Sequence, residues 1–328
     1  MVKIGINGLG RIGRLVLRAA LESKDVEICL LNTPADPETV AHLIKYDSIH
    51  GVADFECEYK DGFIHIDNKK IPITSHRNPA DIKASIDVML ECSGKFNKAH
   101  ESSAHLNGAK KVIVSAPSEG ADATIVMGVN EASLKPEHKI VSIGSCTTNA
   151  LAPIAKIIND NFGIINGYVT TIHAYTGDQN LVDNSHPDIR RARSGALSMI
   201  PTKTGAAGAI GLVLPELDGK ILGSAVRVPV PNVSMLDMVF NLEKTVSKEK
   251  INEDIDLASK TKMKNIVGVA KAKLVSNDFN HTSYSCIFDP FETSVIGGKM
   301  VRLVAWYDNE WAFSKRMIEA AILAAKLC

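Results

Sequence analysis

Apolar residues along this chain follow two rhythms. In the first half, short apolar blocks alternate with stretches that repeat every three to four positions. Residues 2–6 form such a block, and Arg11–Glu22 then carries Ile12, Leu15, Val16, Ala19 and Ala20 at helical spacing. Residues 26–31 predict the next strand, and 38–46 predict a helix with Val40, Leu43 and Ile44 on one side. Asp61-Gly62 and Asp67-Asn68 mark the turns of a hairpin pair across 61–72. Strands follow at 88–91, 112–115 and 124–127, with a helix at 99–107. Strands alternating with helices predict a mostly parallel sheet covered on both faces.

The rhythm changes at Cys146. A helix over 147–159 is followed by strand-like segments at 168–173, 225–229, 235–242, 272–275, 285–288 and 301–306, with one helix at 249–260. That order predicts a largely antiparallel sheet with one helical face. The apolar segment 312–325 predicts a final helix that has to be buried, and so packs back on the first domain.

Composition narrows the class. The 328 residues are 45% hydrophobic, and 37 basic side chains balance 37 acidic ones. No global field points to nucleic acid. No run reaches the ~20 apolar residues of a spanning helix, and the N-terminus shows no secretion signal. No membrane partner is indicated. Six cysteines are scattered with no paired or His-rich ligand spacing, so no metal site is expected, and a reduced, cytoplasmic protein fits.

Two constellations carry chemistry. Gly8, Gly10 and Gly13 follow the first strand and open the first helix, the context that a pyrophosphate-binding turn requires. The end of the second strand, where an acid would grip an adenosine ribose, reads Asn32-Thr33-Pro34. The missing charge relaxes the usual preference for NAD. The second constellation is Ser145-Cys146-Thr147-Thr148-Asn149, with His173 ending a later strand. A thiol at a helix start is lowered in pKa, and a histidine can hold the thiolate or move its proton. Thr176, Asp178, Arg190, Arg191, Arg193, Thr204, Gly205 and Arg227 supply groups for a phosphate-bearing substrate. Runs of arginine are usually solvated, but Arg227 lies inside an apolar strand and wants a partner or an anion.

Together these stretches resemble the phosphorylating glyceraldehyde-3-phosphate dehydrogenases over essentially the full length. The resemblance rests on INGLGRIGR (6–14), AHLIKYDSIHG (41–51), APSEGADATIVMGVN (116–130), SCTTN (145–149), TIHAYTGDQN (171–180), HPDIRRAR (186–193), TGAA (204–207), RVPVPNVS (227–234) and WYDNEW (306–311). It implies an α/β Rossmann-type dinucleotide-binding domain at 1–147, with helix 312–328 returning to it. An α+β catalytic and oligomerisation domain with a mixed, largely antiparallel sheet occupies 148–311. It further implies Cys146 as nucleophile and His173 as its activator. Thr176, Asp178 and Arg227 would hold the substrate's phosphate, and Ser145, Thr147, Arg191, Thr204 and Gly205 the inorganic phosphate. Gly8, Gly10, Arg11, Ile12, Gly13, Thr33, Arg77, Ser115, Ser185 and Asn309 fall at cofactor positions, Asn309 orienting the nicotinamide amide. The family is homotetrameric, and a loop near 177–200 would reach toward a neighbouring subunit's cofactor site.

The chain departs from the family at several points. Thr33 replaces the ribose-binding aspartate, and Asn184-Ser185 replaces Leu-Pro. Both changes lean toward NADP, with dual use of NAD expected. Ile143-Gly144, Ala150 and Phe313 are further differences, and none removes a group with a covalent role. Oxidation of glyceraldehyde 3-phosphate with inorganic phosphate is the expected activity. Erythrose-4-phosphate dehydrogenase is the alternative enzyme, and a catalytically inactive binding protein the alternative outside catalysis.

Overall fold

A computed structural model describes residues 1–328. Two units emerge. The first comprises Met1–Met127, Glu131–Gly144 and Ser314–Cys328, and the second Gly128–Asn130 and Ser145–Phe313.

In the first unit the leading apolar block forms β1 (Val2–Asn7) and the periodic stretch forms α1 (Arg11–Glu22), which buries Leu15, Val16, Leu17, Ala19 and Ala20. β2 (Val26–Asn32) and α2 (Pro37–Lys45) follow. Asp36 caps α2 by accepting the Thr39 N–H at 2.8 Å. The buried face of α2 is Val40, Ala41 and Ile44, while Leu43, expected on that face, is exposed. A short ribbon, β3 (Tyr46–Asp47) with β4 (Gly51–Val52), leads to an antiparallel meander of β5 (Cys57–Lys60), β6 (Phe63–Ile66) and β7 (Lys69–Thr74). Its turns fall at Asp61-Gly62 and Asp67-Asn68, where Asp61, Gly62 and Asp67 take φ of 50°, 83° and 47°.

β8 (Ile86–Glu91) is followed by the short helix α3 (Ala99–Ser102), which tightens into a 3-10 turn over Ser103–Asn107, and by β9 (Ala109–Val114). β10 (Ala123–Thr124) and β11 (Ile140–Ser142) complete the sheet. Residues 124–127 do not form the expected strand. Only Ala123–Thr124 pairs, and the buried Ile125 makes a single ladder-like bond, its N–H to the Ser142 carbonyl at 2.9 Å. The sheet order is β10-β11-β9-β8-β1-β2-β7-β6-β5. From β10 to β7 every pairing is parallel, and the direction of winding reverses between β1 and β8. In a doubly wound sheet that reversal opens a crevice at the strands' carboxyl ends.

The second unit opens with α4 (Cys146–Phe162), then β12 (Ile164–Ala174), β13 (Ile200–Lys203), α5 (Ile210–Val213), β14 (Ile221–Val228) and β15 (Ser234–Leu242). α6 (Lys248–Lys260), β16 (Val267–Val269), β17 (Cys286–Ile296) and β18 (Met300–Tyr307) follow, and the last helix, α7 (Trp311–Ala325), belongs to the first unit from Ser314 on. The sheet runs β13-β14-β12-β15-β18-β17-β16, parallel at β12/β14 and β16/β17 and antiparallel elsewhere. Alternation in β15 shows the layering. Ser234, Leu236, Met238, Phe240 and Leu242 are buried, while the residues between them are not. The expected strand at 272–275 is absent. Lys271 to Val275 alternates suitably, yet no neighbour pairs with it and Val275 stays exposed. The strand beside β17 is instead Val267–Val269.

Candidate active site

In the first unit the reversal between β1 and β8 opens a crevice lined by Asn7, Gly8, Leu9, Gly10, Thr33, Pro34, Arg77, Ser93, Lys95 and Phe96. The glycines have separate reasons. Gly8 takes φ +90°, and a Cβ there would lie 2.4 Å from the Ser93 Cα. A Cβ on Gly13 would lie 1.8 Å from the Gly8 carbonyl oxygen, so only glycine lets α1 start this close to β1. At Gly10 a Cβ would meet nothing within 4 Å, because it would project into open space. Gly10 is the N-cap of α1 and has no side-chain hydrogen bond to the first turn, which holds no acidic residue. Backbone N–H groups at that end are thus presented to an anion.

The other expected cofactor positions distribute as follows. Arg11 is turned to Asp47 in an ion pair of 2.6 Å, so its part in this turn is its backbone. Burial raises the Asp47 carboxyl, but N–H donors from His50 and Ile49 and the Arg11 guanidinium outweigh it and bring it to about 2. Ile12 is in the first turn of α1, and the Ser115 N–H donates to the Glu91 carbonyl at 3.0 Å. Thr33 is buried and accepts the Ala35 N–H on its hydroxyl at 3.3 Å. Ser185 is exposed on a loop of the second unit, its N–H donating to the Asn184 side chain at 2.8 Å.

The thiol site belongs to the second unit. Ser145 caps α4, its Oγ accepting the Thr148 N–H at 3.0 Å, and this places Cys146 in the first turn. The Cys146 Sγ lies 3.6 Å from the His173 Nε2. On the other side of the ring Nδ1 meets the Ala174 carbonyl oxygen at 2.7 Å. A carbonyl only accepts, so Nδ1 carries the proton and Nε2 faces the thiol as an acceptor. β12 and β14 place His173 and Arg227 side by side on one rung. The Arg227 guanidinium donates to the Ala174 carbonyl at 3.0 Å and to the Thr176 hydroxyl at 3.4 Å, and lies 3.0 Å from Nδ1. Its Nε is buried without a partner.

Burial and the Arg227 charge push the His173 imidazole down to about 3, so it is neutral. Burial also raises the Cys146 thiol, against the opposing pull of Arg227 and hydrogen bonds from Thr147 and the helix start. The expected lowering by the helix terminus is therefore outweighed. In the ligand-free site the pair is a thiol beside a neutral imidazole.

The remaining anion-binding candidates form a second cluster. Arg191 donates to Asp178 at 2.8 Å and to the Thr202 hydroxyl at 3.1 Å, and His186 meets Asp178 at 3.3 Å. Burial raises the Asp178 carboxyl, but His186 and Arg191 hold it below the ordinary range. Thr204 and Gly205 follow β13 and make local bonds, to the Ala206 and Ala209 N–H groups. Arg190 and Arg193 are exposed, the latter paired with Asp183 at 2.7 Å. Two positioning groups escaped the sequence. The buried Tyr307 hydroxyl joins Thr147 at 2.9 Å and Thr171 at 2.8 Å, and Ser234 donates to the Asn309 Oδ1 at 2.9 Å, leaving the Asn309 amide nitrogen turned the other way. Both lie in strands whose link to the site is spatial. Their only sequence signal was membership of the RVPVPNVS and WYDNEW stretches.

Comparison with known proteins adds to this geometry. Residues 2–99 match the family model described as the glyceraldehyde 3-phosphate dehydrogenase NAD binding domain, and residues 145–309 match that of the C-terminal domain. The chain belongs to the glyceraldehyde-3-phosphate dehydrogenase family. It is 49% identical to the glyceraldehyde-3-phosphate dehydrogenase of Xanthobacter flavus, with 99% of each chain covered. It is 47% identical to those of Cereibacter sphaeroides and Geobacillus stearothermophilus, again over 99% of each. The family's nicotinamide cofactor fits the crevice of the first unit. The open space beside Gly10 and the uncapped start of α1 suit a pyrophosphate, and Arg77 and Lys95 supply positive charge at the lining. Within the family's catalytic domain, Cys146 meets His173, Arg227 lies beside His173 and donates to the Ala174 carbonyl and the Thr176 hydroxyl, and Asp178 and Arg191 form their own ion pair.

Proposed function

We propose that this chain oxidises glyceraldehyde 3-phosphate with inorganic phosphate to 1,3-bisphosphoglycerate, reversibly, passing a hydride to a nicotinamide cofactor. The observation that carries it is the Cys146 Sγ at 3.6 Å from a neutral His173, beside an arginine with an uncompensated buried nitrogen.

The thiol adds to the aldehyde carbon. Its proton passes to Nε2 and on to the new hydroxyl, which gives a thiohemiacetal on Sγ. The bound cofactor supplies a hydride acceptor. Nε2 takes the hydroxyl proton as the carbon is oxidised, and a thioester remains on Sγ. Inorganic phosphate attacks the acyl carbon and expels the sulfur, which takes back the proton held on Nε2 and is again a thiol. The product leaves as the acyl phosphate, and the proton of the phosphate goes to solvent. Arg227 and Thr176 hold the substrate's own phosphate, where an anion satisfies the buried guanidinium. Ser145, Thr147, Arg191, Thr204 and Gly205 receive inorganic phosphate. Asp178, an acceptor only, cannot donate to a phosphate; it aims Arg191. Asn309, fixed by Ser234, orients the nicotinamide amide.

NADP is accepted alongside NAD, because no carboxylate lines the crevice around Thr33; Ser185 adds a donor. The chain assembles as a homotetramer, consistent with apolar side chains left in water such as Leu197 (84% exposed), Met199 (76%) and Leu222 (66%). It works in the cytoplasm, where six unpaired cysteines stay reduced. Cys146→Ser, assayed with glyceraldehyde 3-phosphate, cofactor and phosphate, should abolish turnover; undiminished turnover refutes the nucleophile. The same assay of the unaltered chain with erythrose 4-phosphate separates the alternative substrate. Light scattering at micromolar concentration should give the mass of four chains, and a monomer refutes the assembly.

A further inference from the structure

The last residues of four neighbouring parallel strands are polar and joined in one line. Thr74 ends β7, Asn32 ends β2, Asn7 ends β1 and Glu91 ends β8. The Thr74 hydroxyl donates to the Asn32 Oδ1 at 2.7 Å, Asn32 donates to the Asn7 Oδ1 at 2.7 Å, and Asn7 donates to the Glu91 Oε2 at 2.6 Å. His105 meets the same Oε2 at 2.8 Å. Glu91 and His105 have no exposed side-chain surface at all.

Every bond in the line runs in one direction, and it stops at a carboxylate. An amide can point either way, but an ionised carboxylate only accepts. Glu91 therefore dictates that Asn7 presents its nitrogen, which dictates that Asn32 presents its own. The ends of the line hold the crevice walls. The second carboxylate oxygen accepts the Ser93 N–H at 2.7 Å. Asn32 binds both the N–H and the carbonyl of His76, at 2.9 Å each, one residue before Arg77, and its own carbonyl accepts the Gly8 N–H at 2.8 Å. Gly8, Thr33, Arg77 and Ser93 all line the crevice.

We propose that Glu91 is a positioning residue for the dinucleotide: through Asn7, Asn32 and the Ser93 N–H it sets the shape of the crevice before cofactor arrives. It touches neither substrate nor thiol in this role. In Glu91→Gln the side-chain NH₂ must face a donor, either Asn7 or Ser93, so the line loses its fixed direction.

The test is calorimetric titration of NAD and of NADP into ligand-free protein, alongside melting without cofactor and steady-state kinetics. Glu91→Gln should raise the Kd for both cofactors by ~10-fold or more, since a hydrogen bond to a charged group is lost. Its kcat at saturating cofactor should stay within about threefold, and KM should carry the change. Asn32→Asp, which keeps the acceptor for Thr74 and the His76 N–H but removes the donor to Asn7 and to the His76 carbonyl, should likewise raise the Kd with kcat little changed, and stands in if Glu91→Gln does not fold. A Kd within about twofold of the unaltered chain in a folded variant, or a fall in kcat as large as the rise in Kd, overturns the proposal. Titration of the unaltered chain is the control, because failure there rejects the cofactor assignment instead.

Discussion

Replacing Thr33 by aspartate should convert a crevice that tolerates a 2′-phosphate into one that rejects it. Thr33 is 6% exposed and follows the last residue of β2, and no lining residue is acidic. The aspartate can take over the hydroxyl's bond to the Ala35 N–H, so the turn should survive. A carboxylate ~5 Å from a phosphate charge, at an effective dielectric of ~20, is opposed by about 3 kcal/mol per pair of unit charges. That corresponds to roughly 100-fold in efficiency with NADP. With NAD the same carboxylate accepts from the ribose hydroxyls, and a charge-assisted bond contributes about 1.5–3 kcal/mol. The ratio of kcat/KM for NADP to that for NAD should therefore fall by ~10³–10⁴. Steady-state kinetics with both cofactors on the same aldehyde measures this ratio directly. A change of less than about tenfold would refute the premise that the charge at position 33 governs discrimination. An unaltered chain that already prefers NAD by more than ~100-fold would refute the expectation of NADP use.

Two further outcomes follow from the site. His173→Asn should slow turnover by roughly 10²–10⁴-fold. The same change should flatten acid sensitivity, since the native imidazole is held at about 3 and its ordinary value is 6.5. Between those values the unfolded chain binds the extra proton, so stability falls as pH drops below about 6.5, by up to ~1.4 kcal/mol per pH unit. Urea unfolding at pH 7 and pH 5 should show a smaller loss in the variant, and equal losses would contradict the burial argument. Gly10→Ala should melt like the unaltered chain yet bind cofactor more weakly, because its Cβ enters only open space. Gly13→Ala should lose about 1–3 kcal/mol of stability from overpacking, and a stable Gly13 variant would show that the turn is looser than its 1.8 Å approach implies.

Much of this was legible in the residue pattern because local physics decided it. α1 has the predicted bounds, since its apolar spacing, its glycine start and the following strand agree. The start of α4 at Cys146 agrees with a helix that begins at the thiol, and the Ser145 cap that fixes it is seen only in the structure. The misplaced strand at 272–275 shows the limit. Its alternation is local, whereas a strand exists only if a neighbour pairs with it, and β17 takes Val267–Val269 instead. The protonation of the thiol was misjudged for a related reason: a helix start is visible in sequence, but the depth of burial that opposes it is not. Tyr307 and Glu91 act across strands far apart in the chain, so no spacing rule could connect them to Thr147 or Asn7.

The shared rung of His173 and Arg227 bears on how such a protein is free to change. The two residues are 54 positions apart, yet their separation in space is set by eight consecutive pairs between β12 and β14. The number of residues between them does not set that spacing, although β13 within the intervening segment pairs with β14 and faces Arg227 with Ile200. Insertions or deletions there leave the base and the guanidinium where they are, whereas one residue gained within β12 ahead of His173 would turn the imidazole to the opposite face. The long excursion can therefore change in length without moving the base from the guanidinium, provided that Thr176, Asp178, Arg191, Thr204 and Gly205 within it keep their places for the phosphates.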